Sequence, residues 1–413
     1  MKNPFGTALS ALLIAMIIAM PCEAQASAPG SGEPAWLNLE RGKRAFESKR
    51  FGEALVAFHT AITMRRDSFS AAGAKLAKAL DSKEAREAGG SIRKALSAFA
   101  EADFISRDYE KIALNAGPSV EVLIVALKKE RISDNHRNFI EALQSVLEYK
   151  SIESLSDSIS TFGYEINALS RFPEAEYWKG KVFFLEGELD LAENQFKRAL
   201  EQGLSLDIPE DMFSILYAMA DLYELKADRV AWERVLQRIL DGVTATRDAQ
   251  AAARVDTALR SAMAKTLREA GFDKFMTLYR VEPSFALDAY ADLASFYLET
   301  GRADAMINAA IAVNMTLTRA INIMQAKNSD YVWRSLDDFL LKAGANREVQ
   351  EYLSKNPLHR MMLVLADALY IEGGRVFAGA MWKTLEMQGV EPYAAVAKAR
   401  IQRPDSAVRR TMP

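Results

Sequence analysis

The 413-residue chain has one cysteine, Cys22, and three histidines, His59, His136 and His359. A single thiol excludes a disulfide framework and Cys-ligated zinc. The three imidazoles lie in separate segments, with no pair at the i, i+4 spacing of a helical zinc site. They are therefore expected to be structural, and the polar cluster Ser133 to Arg137 around His136 is expected to cap a helix rather than do chemistry. Phosphate-loop, nucleophile-elbow and calcium-loop motifs are missing, and the carboxylates are spread along the chain. No cofactor, metal site or catalytic residue is expected. A formal net charge of only -3 supplies no basic field to gather nucleic acid. Nor do alternating Val/Ile/Thr runs occur together, which argues against a sheet.

What is present is a globular composition, 50% apolar and 26% charged. Lys2 precedes the apolar run Ala8 to Met20, and Ala24-Gln25-Ala26 then forms a small-x-small cleavage site. Residues 1–26 are expected to be a signal peptide, with Cys22 removed and the mature protein starting at Ser27 in the periplasm, not integral to the membrane. The rival is a lipoprotein anchored through Cys22, which Pro21 disfavours because a small flexible residue belongs there. Residues 27–34 are a leader of small residues and prolines.

The next pattern is periodic. From Gly42, the residues 12, 16 and 19 positions on are Ala54, Phe58 and Ala61; from Gly180 they are Ala192, Phe196 and Ala199. Weaker versions start from Ala220, with Trp232 and Leu236, from Ala294, with Gly301 and Ala310, and from Ala366, with Gly373, Ala378 and Trp382. These residues resemble the tetratricopeptide repeat, a helix-turn-helix of about 34 residues. Small residues at Gly180 and Ala192 would let two helices approach, Phe183 and Phe196 would fill the groove, and Gly187 would relieve the turn. Pro173, Pro209, Pro283, Pro357 and Pro392 stand at or before helix starts.

The resemblance implies an all-α, right-handed solenoid of stacked hairpins. The expected divisions are hairpins over 35–170, with a first clear repeat at 35–68, central repeats over 171–245, further hairpins over 246–400 and a disordered basic tail over 401–413, preceded by Arg400. The 138 residues from Gly42 to Gly180 are close to four repeat lengths, so degenerate hairpins are expected in the gap. One such helix is marked by Ala95, Phe99 and Ala102; segments 261–279 and 332–353 have the same helix-glycine-helix grammar.

In this family the inner face of the first helix of each hairpin lines a binding groove. The corresponding residues are Tyr177, Trp178, Lys181 and Phe184, then Tyr217, Asp221 and Glu224. Trp178 and Phe184 could equally be buried by neighbouring hairpins. Lys181 and Asp221 stand where a carboxylate clamp would place asparagine, so that clamp is not expected, and Asp221, Glu224 and Asp292 favour a ligand with positive charge. The resemblance implies a non-enzymatic scaffold for an envelope protein or peptide. The alternative is an accessory of an envelope transporter that relays a small apolar ligand through a closed pocket. Cell-wall hydrolysis would need a buried glutamate in a saccharide cleft, and no motif supports it.

Overall fold

A computed structural model of the protein describes residues 33–81, 165, 168–243, 257–327 and 330–407. Among these there are only helices and connections, and the chain divides into two compact units, residues 1–212 and 213–413. The expected signal segment, the expected helix around Phe99, and His136 lie outside the described residues.

The first unit contains α1 (Ala35–Glu47), α2 (Phe51–Asp81), α3 (Pro173–Leu185) and α4 (Leu189–Glu201). The second holds most of α5 (Asp211–Leu225), then α6 (Arg229–Val243), α7 (Thr257–Leu278), α8 (Leu287–Glu299), α9 (Asp304–Lys327), α10 (Leu336–Ala343), α11 (Arg347–Lys355), α12 (Leu358–Ile371), α13 (Arg375–Gln388) and α14 (Tyr393–Gln402). A last turn of helix spans Pro404–Ala407.

Five hairpins repeat one geometry: α1–α2, α3–α4, α5–α6, α8–α9 and α12–α13. In each, the first helix ends five residues after its small anchor (Gly42, Gly180, Ala220, Ala294 or Ala366). Two residues further on, the backbone turns left-handed, at Lys49, Gly187, Ala227, Gly301 and Gly373, with φ between 57° and 93°. The amides there close the helix by paired bonds: Gly187 N–H donates to the Phe184 carbonyl and Glu188 N–H to that of Phe183. The same pair recurs as Lys49 to Phe46 with Arg50 to Ala45, and in the other three hairpins. This is the Schellman ending, which satisfies carbonyls the helix cannot. Positions 12, 16 and 19 after each anchor are buried in all five hairpins.

Close approach explains the small anchors. A methyl group on Gly180 would lie 2.5 Å from the Phe196 ring, and Gly42 meets Phe58 in the same way. At the third hairpin Trp232 replaces the small residue, and its ring turns edge-on to Phe296 with centroids 5.4 Å apart.

The stacking differs from that inferred from spacing. Helix α2 packs directly on α3, and Ala54, Phe58 and Ala61 share one core with Phe172, Ala175 and Val182. The degenerate hairpins expected between these two repeats fall on residues outside those described. In the second unit α6 packs on α8 and α9 on α12, again second helix to first. Both segments that read as hairpins between them do form helices. Helix α7 kinks at Gly271 (φ 79°), and α10–α11 is a short hairpin capped by the Asn346 carboxamide. These helices pack onto the hairpins: α7 contacts α9 and α13, and α11 contacts α9. As a result every residue of α9 from Ala305 to Thr318 is buried. An open hairpin array would leave one face of that helix in water.

Two polar networks hold the units internally. In the first, the buried Arg65 donates to the Leu169 carbonyl (3.1 Å), pairs with both Asp207 oxygens (3.0 and 3.2 Å) and lies 4.4 Å over the Phe172 ring. Beside it Glu174 Oε1 accepts from the Asp207 amide at 2.6 Å, while its Oε2 is buried without a hydrogen-bond partner. In the second, Asp367 accepts from Trp382 Nε1 (2.9 Å) and Arg400 Nε (3.0 and 3.1 Å). Arg400, expected beside a solvated tail, is instead 4% exposed and clamps α14 onto α12, and the chain is helical as far as Ala407.

Candidate functional site

The expected groove residues fall in both units. In the first unit Tyr177, Trp178, Lys181 and Phe184 all lie on α3 and all are half-buried. Trp178 packs edge-on to Phe46 (5.2 Å) and parallel to Phe58 (6.3 Å), so its ring is shared between the hairpin core and the surface. The Lys181 ammonium lies 4.3 Å from the Trp178 centroid, 5.4 Å from Phe46 and 5.6 Å from Tyr177. Three rings thus share one cation, whose charge the ring faces stabilise. Burial holds the Lys181 pKa below the ordinary lysine value. Tyr177 reaches back to Phe196 at 6.0 Å, and the Phe184 carbonyl belongs to the hairpin turn.

In the second unit the structure gives Tyr217 a different task from display. Its hydroxyl donates to the Phe285 carbonyl at 2.5 Å and accepts from the Ala289 amide at 3.2 Å, clasping the start of α8. Burial raises its pKa, and Asp288 and Asp292 add to that. Around it stands an acidic face. Asp221 and Glu224 are exposed on α5, Asp288 is exposed on α8, and Asp292 is half-exposed one turn later. The Asp221 pKa is raised by desolvation and by the negative charges of Glu224 and Asp292. Asp288 is raised by desolvation and by Asp292, against the opposing pull of Arg360. Arg360 pairs with Asp292 at 2.9 Å.

Sequence reading had Asp221, Glu224 and Asp292 but missed Asp288 and Arg360. The signal was present, because Asp288 and Asp292 are an i, i+4 pair on one helix face. Asp288 stands in the first turn of α8, where the helix dipole favours a carboxylate, and Arg360 offsets the charge of Asp292.

Of the histidines described, His59 is exposed, while His359 stacks on Tyr393 (6.4 Å, 15°) and burial lowers its pKa. No group of His, Cys, Asp and Glu that could hold a metal ion occurs among the described residues. None of the described helices is long and apolar enough to cross a membrane.

No protein-family model matches the chain, and no solved structure matches it. An uncharacterized protein of Treponema pallidum (strain Nichols) is 26% identical over 249 residues, which covers 59% of this chain and 65% of that protein. The chain thus spans slightly less than two thirds of that relative's length.

Proposed function

We propose that this protein is a non-catalytic, tetratricopeptide-type scaffold that works in the periplasm after export and binds a basic segment of an envelope protein. The observation that carries the reading is the acidic face of the second unit. The Asp221 and Asp288 pKa values are raised from the ordinary aspartate value by desolvation and by neighbouring carboxylates, and the paired cation on that face is Arg360. Like charges held together cost stability, and a cationic partner would relieve that cost on binding. The aromatic patch of the first unit adds apolar contact area of the kind that dominates association energies.

Cross-linking in intact cells tests the reading. Wild type should capture a partner whose bound segment is lysine- or arginine-rich. The double variant Asp221→Lys/Asp288→Lys should recover at least tenfold less, with the loss greatest at low ionic strength. Undiminished capture by the double variant, with its helical circular dichroism intact, would remove the acidic face from the binding surface.

A further inference from the structure

The aromatic patch of the first unit holds a cation without a counter-charge. Lys43 lies 5.8 Å from the Trp178 centroid and pairs with Glu40 at 2.7 Å, while Lys179 pairs with Glu176 at 3.6 Å. Lys181 is different. Its ammonium makes no hydrogen bond and no ion pair among the described residues, and its close neighbours are the rings of Trp178, Phe46 and Tyr177. Desolvation lowers its pKa, and no carboxylate pulls the other way. An ammonium carries three N–H donors, and ring faces attract its charge without offering an oxygen that could accept from them.

The rings beneath that cation are held by the core and still reach the surface. Trp178 packs on Phe46 and Phe58, and Tyr177 packs on Trp178 (5.8 Å) and Phe196 (6.0 Å). Phe46, Tyr177, Trp178 and Lys181 are all half-buried, so each keeps an accessible edge. Side chains already ordered by packing lose little conformational entropy when a partner covers them, which is the condition for a strong contact.

We infer that Lys181, with the rings of Trp178, Phe46 and Tyr177, is a docking site for an acidic side chain of a partner protein, a glutamate or aspartate flanked by apolar residues. The carboxylate accepts charge-assisted hydrogen bonds from Lys181, and the flanking apolar side chain lies on Trp178. Charge complementarity selects this occupant. The cation lacks a counter-charge and the surface beside it is apolar, and a carboxylate next to an apolar side chain answers both, whereas a lysine or arginine there is repelled. The inference rests on the scaffold reading for the existence of a partner. Its residues all belong to the first unit, so it can fail while the acidic face of the second unit still binds.

Isothermal titration of the whole protein with a synthetic peptide of alternating leucine and glutamate tests the inference, both ends of the peptide being blocked so that side chains carry its only charges. Peptides with glutamine or lysine in place of glutamate, and vesicles of phosphatidylglycerol, are the comparisons. The glutamate peptide should bind on the order of tenfold more tightly than the glutamine one, less so as salt rises, and the lysine peptide should not bind. Lys181→Met should erase that preference and Lys181→Arg should keep it, with helical circular dichroism intact in both. The double variant Asp221→Lys/Asp288→Lys should leave it unchanged, which separates this site from the acidic face. In wild type the glutamate peptide should also shield Lys181 from acylation by acetic anhydride, a readout that needs no variant to fold. Equal binding of the glutamate and glutamine peptides, no binding at millimolar concentration, or a preference that survives Lys181→Met overturns the inference. Capture of the vesicles but not of the peptide, lost in Lys181→Met, overturns it in favour of an anionic lipid surface.

Discussion

Gly180 and Phe196 touch so closely that glycine is the one residue that fits opposite that ring without displacing it, and Gly42 and Phe58 repeat the relationship in the neighbouring hairpin. The lost Cβ is what brings the two helix backbones together over a flat aromatic face. Gly180→Ala should therefore push α3 from α4 and cost about 1–3 kcal/mol in urea denaturation. Ala192→Leu, at a position with 0% exposure in the same crossing, should cost a similar amount. Gly52→Ala is the control, because nothing lies within 4 Å of a Cβ there, and it should be neutral or slightly stabilising. Equal stability of wild type and Gly180→Ala would mean that the close approach does not govern the packing.

The left-handed turn residue makes a prediction of opposite sign at the third hairpin. Ala227 adopts φ 57° at the position where three other hairpins place glycine. A Cβ in that conformation costs roughly 1–2 kcal/mol. Ala227→Gly should raise stability by about 1 kcal/mol, offset slightly by greater freedom of the unfolded chain. Gly373→Ala should lower it by a comparable amount. Paired melting curves read both, and a loss on Ala227→Gly would show that the turn is not strained.

These two results bear on what the sequence could disclose. Helix ends, turn positions and the buried places 12, 16 and 19 residues from each anchor depend on neighbours a few residues apart, so Gly42, Gly180 and their partners stood out at once. Which hairpin lies against which depends on contacts made across long stretches of chain. The direct contact of α2 with α3 joins residues more than 90 positions apart, and no local spacing announces it. The burial of α9 from Ala305 to Thr318 was hidden for the same reason: its Ala-rich run reads as one face of a hairpin until α7 and α11 cover the other. For the candidate site, the acidic residues could be read from helix periodicity, whereas the clasp of Tyr217 on Phe285 and Ala289 spans about 70 residues and leaves no local trace. Tyr217→Phe, which removes that clasp but keeps the ring, is thus a stability variant before it is a binding variant.

Arg400 supplies a third prediction. Its guanidinium and the Trp382 indole together solvate the Asp367 carboxylate, which is 1% exposed. Removing one member of a buried pair strands the other, at a cost of about 3–5 kcal/mol. Arg400→Ala should release α14 from α12, lower Tm and speed amide exchange in residues 393–402. Arg400→Lys should rescue only part of this, since an ammonium cannot match the fork that reaches both oxygens. Unaltered exchange in α14 after Arg400→Ala would show that the helix is held by its apolar contacts alone.

The last prediction concerns pH and Glu174. This carboxyl is buried beside Asp207, and desolvation first, then repulsion from Asp207, push its pKa up to about 7 despite the opposing attraction of Arg65. In the unfolded chain it returns to the ordinary glutamate value near 4.5. The folded state therefore holds this proton more tightly than the unfolded state. Its contribution to stability is fully present below about pH 4.5 and falls as pH rises, reaching its lowest level above about 7. The orphaned Oε2 is the structural counterpart, since a protonated carboxyl buries less charge there than a carboxylate does. Glu174→Gln keeps the shape and the acceptor for the Asp207 amide while removing the titration. Relative to wild type it should gain stability at pH 8 and show little difference at pH 5, when chemical denaturation is compared at the two pH values. A wild-type minus variant difference that stays constant from pH 5 to 8 would mean that Glu174 titrates in the folded protein as it does in the unfolded chain.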